Sequence, residues 1–236
     1  MAEVSGSRAR ELAGVVRYAM YSAFRVRRES GGLGEHARES AAAETSGLLE
    51  QAADKGIITR GAYKLSGYRS DADYLFWWIA DSPDDLQDLY CRFLRTRLGR
   101  ASDPAWSALG VHRPSEFNEA HVPSFIAGDE PRGYACFYPY ARSMEWYLLD
   151  PADRGRMLAE HGTMGREFPD VLANTVSAFA LGDYEFILAF EADNLHRLVD
   201  LMRYLRGAAA RRHTRVETPF YTGPRQSITE IITTLP

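Results

Sequence analysis

The chain has 236 residues, 45% of them hydrophobic and 25% charged, with 28 Lys and Arg against 32 Asp and Glu for a formal charge of −4. This is enough apolar material for one large or two small cores, and it excludes the disordered and fibrous classes. No overall positive field draws the chain to nucleic acid or to an anionic membrane, so neither is expected as a partner.

Residues 1–12 are small and polar and read as a flexible start. Glu3, Arg8 and Arg10 have no apolar stretch behind them, and no run approaches the ~20 apolar residues of a membrane span. A soluble cytoplasmic protein is the expectation. Cys91 and Cys136 form no CxxC pair and sit among apolar neighbours, as buried reduced thiols do.

Val15–Val26 is rich in Val, Tyr and Phe without a breaker and predicts a first strand. Arg38–Lys55 is Ala-, Glu- and Leu-rich and stops before Gly56, as a helix would. Ile57–Tyr68 and Asp73–Ala80 predict two strands of a hairpin. Ser82-Pro83 then opens a helix as cap and first-turn proline, with Leu86, Leu89, Tyr90, Phe93 and Leu94 at helical spacing. The second half repeats this order. Tyr134–Arg142 predicts a strand, extended or followed by Trp146–Leu149, and Asp150-Pro151 starts a helix running to about Phe168. Val171–Leu181 and Tyr184–Glu191 predict a hairpin, and Asp193–Arg206 the matching helix.

The repeat is detailed. Asp73-Tyr74-Leu75-Phe76 is echoed by Asp183-Tyr184-Glu185-Phe186, and Leu86, Leu89 and Phe93 by Leu195, Leu198 and Met202. Two halves, 13–98 and 134–236, joined by a loop over 99–133, are each expected to be ferredoxin-like in an α+β fold, with the second closed by a strand over Val216–Tyr221. Two such sheets can bury their open faces against each other, and the space between them is a natural pocket. Periodicity leaves open whether side chains or a ligand fill it.

Walker, GxGxxG, HExxH, GxSxG and paired-cysteine zinc motifs are all missing from the sequence. What remains is a set of histidines and tyrosines. His161 shares a helix face with Met157, Leu158 and Met164. It is either a core histidine or an axial ligand to a haem iron. His121, in the joining loop, is either a solvated side chain or a proton acceptor at a cavity mouth. Alternation puts Tyr138, Tyr140 and Arg142 on one strand face unless Pro139 bulges the register. They are either packing with a surface arginine or an inward cation and phenols awaiting a polar partner. His112, His196 and His213 have polar surroundings and are expected at the surface.

The segments FYPYARSMEWYLL (137–149), AEHGTMGREFPDV (159–171), GDYEFILAFEADNLHRLVDLMRYLR (182–206) and TPFYTGPR (218–225) resemble the chlorite-dismutase-like haem proteins, and among them the actinobacterial branch that decarboxylates coproheme. RGAYKLSGYRSDADYLFWWIA in the first half matches more weakly. The resemblance covers nearly the whole chain after the first dozen residues. It implies two ferredoxin-like halves forming a dimeric α/β barrel-like unit within one chain, assembled as a homopentamer. It further implies hydrogen-peroxide-dependent oxidative decarboxylation of two propionates of iron-coproporphyrin III (coproheme), giving protohaem (haem b) and carbon dioxide, with transient contact with coproporphyrin ferrochelatase.

Residue by residue, His161 matches the axial ligand of the haem iron. Tyr138 matches the tyrosine oxidised to a radical, and His121, in the joining loop, matches the distal histidine that deprotonates peroxide. Arg142 matches a propionate-holding basic residue and Trp146 an aromatic residue beside the cavity. Some positions depart from relatives. Tyr140 stands where many have methionine, and Pro219 where some have a propionate-binding serine. Counting thirteen residues past the proximal histidine reaches Asn174 where chlorite dismutases carry a distal arginine. A chlorite-degrading enzyme and a non-catalytic haem-binding protein are the alternative readings.

Overall fold

A computed structural model of the chain describes residues 11–12, 14–28, 34–114 and 122–236. Two units divide it, one taking in Val16–Val111 with Tyr221–Pro236 and the other His112–Phe220. The first runs β1 (Arg17–Val26), α1 (Glu35–Asp54), β2 (Ile58–Lys64), β3 (Tyr74–Ala80), α2 (Pro83–Leu94), a one-turn α3 (Arg97–Arg100) and β4 (Ser102–His112). Its strand order is β4-β1-β3-β2, which is ferredoxin-like. The α2 start follows the expected chemistry: Ser82 Oγ accepts the Asp84 amide at 3.2 Å, Pro83 takes the first turn, and Asp84 and Asp85 face the positive end of the helix dipole.

The second unit runs α4 (Ser124–Ala127), β5 (Tyr134–Arg142), α5 (Met144–Leu148), α6 (Pro151–Gly165), β6 (Leu172–Ser177), β7 (Phe186–Ala192), α7 (Leu195–Leu205), a 3-10 turn over Ala209–His213, and β8 (Thr214–Val216). Its order, β8-β5-β7-β6, repeats that of the first unit. Both hairpins carry the same bridge at their tips, Ser66 to Arg69 and Phe179 to Gly182. The ladders set Tyr74 opposite Phe24 and Phe186 opposite Tyr140, so the Asp-Tyr echo is displaced by two residues. That displacement is one full strand repeat and keeps every side chain on its face.

Three expectations need correction. The strand β4 lies inside the stretch read as a joining loop, where Pro104, Gly110 and a lack of alternation hid it. Of the two readings of Trp146–Leu149, the structure shows the one that follows the strand: Met144–Leu148 is a short helix with Leu149 as its C-cap, and the Trp146 amide bonds back to the Ser143 carbonyl. The expected closing strand 216–221 is split: Val216 ends β8, whereas Tyr221 begins β9 (Tyr221–Gln226), which pairs antiparallel with β2. After β9, the capping box of Ser227 and Glu230 starts α8 (Ile228–Thr233), and Ile228, Ile231 and Ile232 sink into the first unit's core.

The C-terminal residues therefore belong with the first unit and not with 134–236. The physical reason is the free edge of β2, whose N–H and C=O groups need a partner strand. Gly223 lets β9 approach, since a Cβ there would fall 2.0 Å from the Lys64 carbonyl oxygen.

Two side chains also differ from expectation. Cys91 is exposed on α2, while Cys136 is buried as expected. His112 is buried rather than superficial: its Nε2 donates to the Leu12 carbonyl at 3.2 Å, and burial pulls its pKa below the usual histidine value.

Phe93 is fully buried among Phe24, at 4.9 Å between ring centroids, and Phe76, at 5.1 Å. Phe93→Ala is expected to cost about 3–5 kcal/mol, read as a lower denaturant midpoint with an unchanged slope. A cost under about 1 kcal/mol would contradict close packing here.

Candidate functional site

The two units treat one interface in opposite ways. In the first, Met20, Phe24, Tyr74, Phe76 and Trp78 cover the helix-bearing sheet face. Ala41, Ala42, Leu48 and Ala52 of α1 and Leu86, Leu89 and Phe93 of α2 meet them, all buried. In the second unit, register puts Cys136, Tyr138 and Tyr140 of β5, Leu188 and Phe190 of β7 and Ala173 of β6 on the corresponding face. Leu198 and Leu201 of α7 cover part of it, yet Tyr140, Leu188 and Ala173 keep partial exposure. The 15-residue α6 buries none of its side chains.

Polar ties at its margins hold α6 in place. Asp150 caps it by accepting the Ala152 amide at 2.8 Å, and Arg154 donates to the carbonyls of Trp146 and Leu149, both at 3.4 Å. Glu160 accepts the Ala209 amide at 2.9 Å. Leu158, His161, Gly162 and Gly165 form a half-buried i, i+3, i+4, i+7 stripe. A Cβ added at Gly162 would meet nothing nearer than 3.8 Å, and one at Gly165 nothing within 4 Å. Each glycine costs about 1 kcal/mol of helix propensity relative to alanine, and packing within the chain does not require either. What they leave is open space around their own Cα positions on this stripe.

Across the unit, Tyr138 is buried against Phe190 and Phe220, and its hydroxyl donates to Met202 Sδ at 3.6 Å. Burial raises the phenol pKa well above its usual value, with the Cys136 and Glu217 side chains adding to the shift, so it keeps its proton. The β5–β7 register passes Pro139 without a bulge, so Tyr138 and Tyr140 share a face as alternation requires. Tyr140 is hydrogen-bonded to Thr214 Oγ1 at 2.9 Å. The Arg142 guanidinium lies 4.2 Å above the buried Trp146 ring and 4.9 Å above that of Tyr140. Among the described residues its one hydrogen bond runs to the Ala210 carbonyl at 3.2 Å, and burial lowers its pKa from the usual arginine value. A half-buried cation with several unused donors is suited to an anion.

Tyr138, Arg142, Trp146 and His161 thus all belong to the second unit, with Arg142 stacked on Trp146 and Tyr140. His121 lies outside the described residues. Asn174 is not on the Tyr138 face: it pairs with Ala189, while its neighbour Ala173 pairs with Phe190 and occupies that face. Buried Asn174 instead donates to the Ala189 carbonyl (3.1 Å) and Glu191 Oε1 (3.0 Å), and accepts the Phe125 amide at 2.8 Å. Glu191 accepts the Arg132 amide at 3.2 Å. The pair pins both ends of the segment downstream of His121.

His213, expected at the surface, is half-buried and bonded to Ser143 through Nδ1 at 3.3 Å, with its ring 5.5 Å from Trp146. Sequence reasoning missed Met202, Thr214 and Glu185 as neighbours of the tyrosines and Arg142. Two of them left a trace in the repeat, Met202 as the echo of Phe93 and Glu185 inside the Asp-Tyr echo; the Glu185 carboxylate accepts the Arg142 amide and the Tyr147 hydroxyl.

The profile of the family described as chlorite dismutase matches residues 38–226. The chain belongs to the chlorite dismutase family. It is 55% identical over 222 residues to a protein of Mycolicibacterium smegmatis named coproheme decarboxylase, covering 94% of this chain and 95% of that one. It is 26% identical to the chlorite dismutase of Ideonella dechloratans, over 92% of this chain and 79% of the relative. Chlorite dismutase from Candidatus Nitrospira defluvii, solved in complex with imidazole, superposes with a TM-score of 0.81 at 26% identity, covering 92% and 93% of the two chains. Among the described residues of this family member, no helix is long and apolar enough to cross a membrane.

Asn174→Ala leaves the Phe125 amide and Glu191 short of a partner and is expected to lower stability by about 1–3 kcal/mol. Hydrogen exchange at the Phe125 amide should quicken at least about tenfold. Unaltered exchange there would contradict the clamp.

Proposed function

We propose that the chain is a coproheme decarboxylase that converts iron-coproporphyrin III to protohaem with hydrogen peroxide as oxidant. Each propionate, with one peroxide and one proton, yields a vinyl group, carbon dioxide and two waters. The carrying observation is the incompletely filled helix–sheet interface of one unit, with an imidazole on the helix and a phenol and a half-buried guanidinium on the β5 side. Its twin in the first unit, filled by Phe76, Trp78 and Phe93, shows that the fold does not leave such a space by default. The 55% identity to the Mycolicibacterium protein supports the decarboxylase over the chlorite reading. Alanine at 173 on the Tyr138 face also gives chlorite no cationic partner there.

In this reading His161 holds the iron, which when bound supplies the oxidising equivalents from peroxide. Tyr138 gives up its hydroxyl hydrogen, and the resulting phenoxyl takes a hydrogen from a propionate side chain so that the carboxylate can leave. Arg142, with unused donors over Trp146 and Tyr140, binds a propionate. His121 serves as the base for peroxide. The porphyrin reorients between its two decarboxylations. The cytoplasmic setting, the homopentamer and transient contact with coproporphyrin ferrochelatase belong to the same reading and are supported by the family resemblance.

Mass spectrometry of iron-coproporphyrin-loaded protein titrated with peroxide provides the test. Wild type should lose two carboxyl groups per porphyrin, and Tyr138→Phe should bind the porphyrin yet slow decarboxylation by at least about 10³-fold. A Tyr138→Phe variant at the wild-type rate would refute the radical role. His161→Ala should lose the ligand-field spectrum of the wild type; an identical spectrum would remove His161 as axial ligand.

Filling the gap tests the site by another route. Leu188→Trp, on the exposed part of the sheet face, should weaken porphyrin binding at least about tenfold, equivalent to ~1.4 kcal/mol, while thermal stability is unchanged or raised. Wild-type affinity in this variant would mean that the porphyrin binds elsewhere.

A further inference from the structure

Between Arg203 and Arg215 the chain carries five arginines and no carboxylate, although its formal charge is −4. Arg211 is ion-paired with Glu217. Arg203, Arg206, Arg212 and Arg215 are exposed and have no carboxylate partner among the described residues. Their backbone is well anchored, since Ala208 and Ala210 between them are buried.

The same segment borders the candidate site through bonds on three sides. The Ala210 carbonyl accepts from Arg142, Thr214 is bonded to Tyr140, and the Ala209 amide bonds Glu160, which directly precedes His161 on α6. Val216 and Thr214 pair with Ala141 and Arg142. Four exposed arginines without a carboxylate partner among the described residues therefore lie in, or directly before, the segment that bonds the proposed substrate-binding residues. Neither local folding nor ion pairing within the chain accounts for a cation cluster of this density. Like charges so close repel one another, and that repulsion is relieved when an anion approaches.

We propose that Arg203, Arg206, Arg212 and Arg215 form a capture surface that steers a polycarboxylate porphyrin into the site, acting on encounter and not on the bound state. This rests on the reading under Proposed function, in which the ligand carries four propionates. A fixed cationic rim beside a cleft raises the association rate of an anion, and the effect fades as salt shortens the screening length, which is ~10 Å at 0.1 M. A ligand with more carboxylates gains more.

Stopped-flow mixing of the full chain with iron-coproporphyrin III, over a series of salt concentrations, provides the test. Replacing all four arginines by glutamine should cut the association rate constant at low salt by about tenfold or more. Dissociation should stay within about twofold of wild type, and the difference should vanish near 1 M salt. Protohaem, with two carboxylates, should show a smaller loss, and the fourfold lysine variant should restore the rate. Circular dichroism and thermal midpoint establish that the glutamine variant is folded.

The proposal is overturned if the glutamine variant associates at the wild-type rate with the wild-type salt slope. It is equally overturned if the loss falls in dissociation, or if the lysine variant is as slow as the glutamine variant. Wild-type protein that takes up no iron porphyrin at any salt would instead refute the functional reading itself and remove the ligand on which the steering depends.

Discussion

An amphipathic helix lying on a sheet is stable because its apolar stripe is removed from water, and α6 departs from that rule. Met157, Leu158 and Met164 stay half-exposed, and each forgoes part of the roughly 1.5–3 kcal/mol that full burial of such a side chain contributes. Gly155, Gly162 and Gly165 weaken the helix by about 1 kcal/mol each. Against this stand a capping aspartate, the Arg154 bonds and the Glu160 bond to the next layer of chain, each of modest net value. The helix is held in position from its margins while its inner face is left for something else to cover.

The first unit shows what this fold looks like when the same space is used for stability. Its sheet face and helices close over Phe24, Phe76, Trp78 and Phe93, with ring centroids 4.9–6.4 Å apart. At the helix position of Phe93 the second unit has Met202, whose sulfur receives the Tyr138 hydroxyl. At the strand position of Tyr138 the first unit has Ser22, bonded to Ser107 at 3.0 Å. The two repeats thus share one framework, and different side chains at matched positions fill its helix–sheet interface in one unit and leave it partly exposed in the other. The first unit also takes the last strand and helix of the chain, leaving the second unit with the short β8 beside Arg142.

The chain is acidic overall, yet the second unit carries one half-buried arginine over two aromatic rings and a run of exposed arginines between Arg203 and Arg215. A half-buried guanidinium over aromatic rings is costly unless its donors are used, whereas exposed ones are cheap to maintain and act at a distance. Arg142 is therefore suited to holding an anion already inside, and the exposed run to attracting one from solution. Burial of Tyr138 works in the same direction, since a phenol held well above its usual pKa remains neutral and retains the hydrogen it would have to give up.

Most of the elements and the duplication were legible because they are written locally: alternation in Tyr134–Arg142, helical spacing in α2, α6 and α7, and caps at Ser82 and Asp150. The shared face of Tyr138 and Tyr140 followed from the same periodicities. Other features depended on partners far along the chain. β4 was hidden by Pro104 and Gly110, β9 joined the first unit because β2 needed an edge partner, and His112 was buried by a bond to Leu12. A count along the sequence reached Asn174, but face is set by ladder register, and register put Ala173 beside the tyrosines. Above all, an apolar stripe reads the same whether or not it is filled; filling depends on the volume of side chains brought opposite it, a property of packing between segments and not of any one segment.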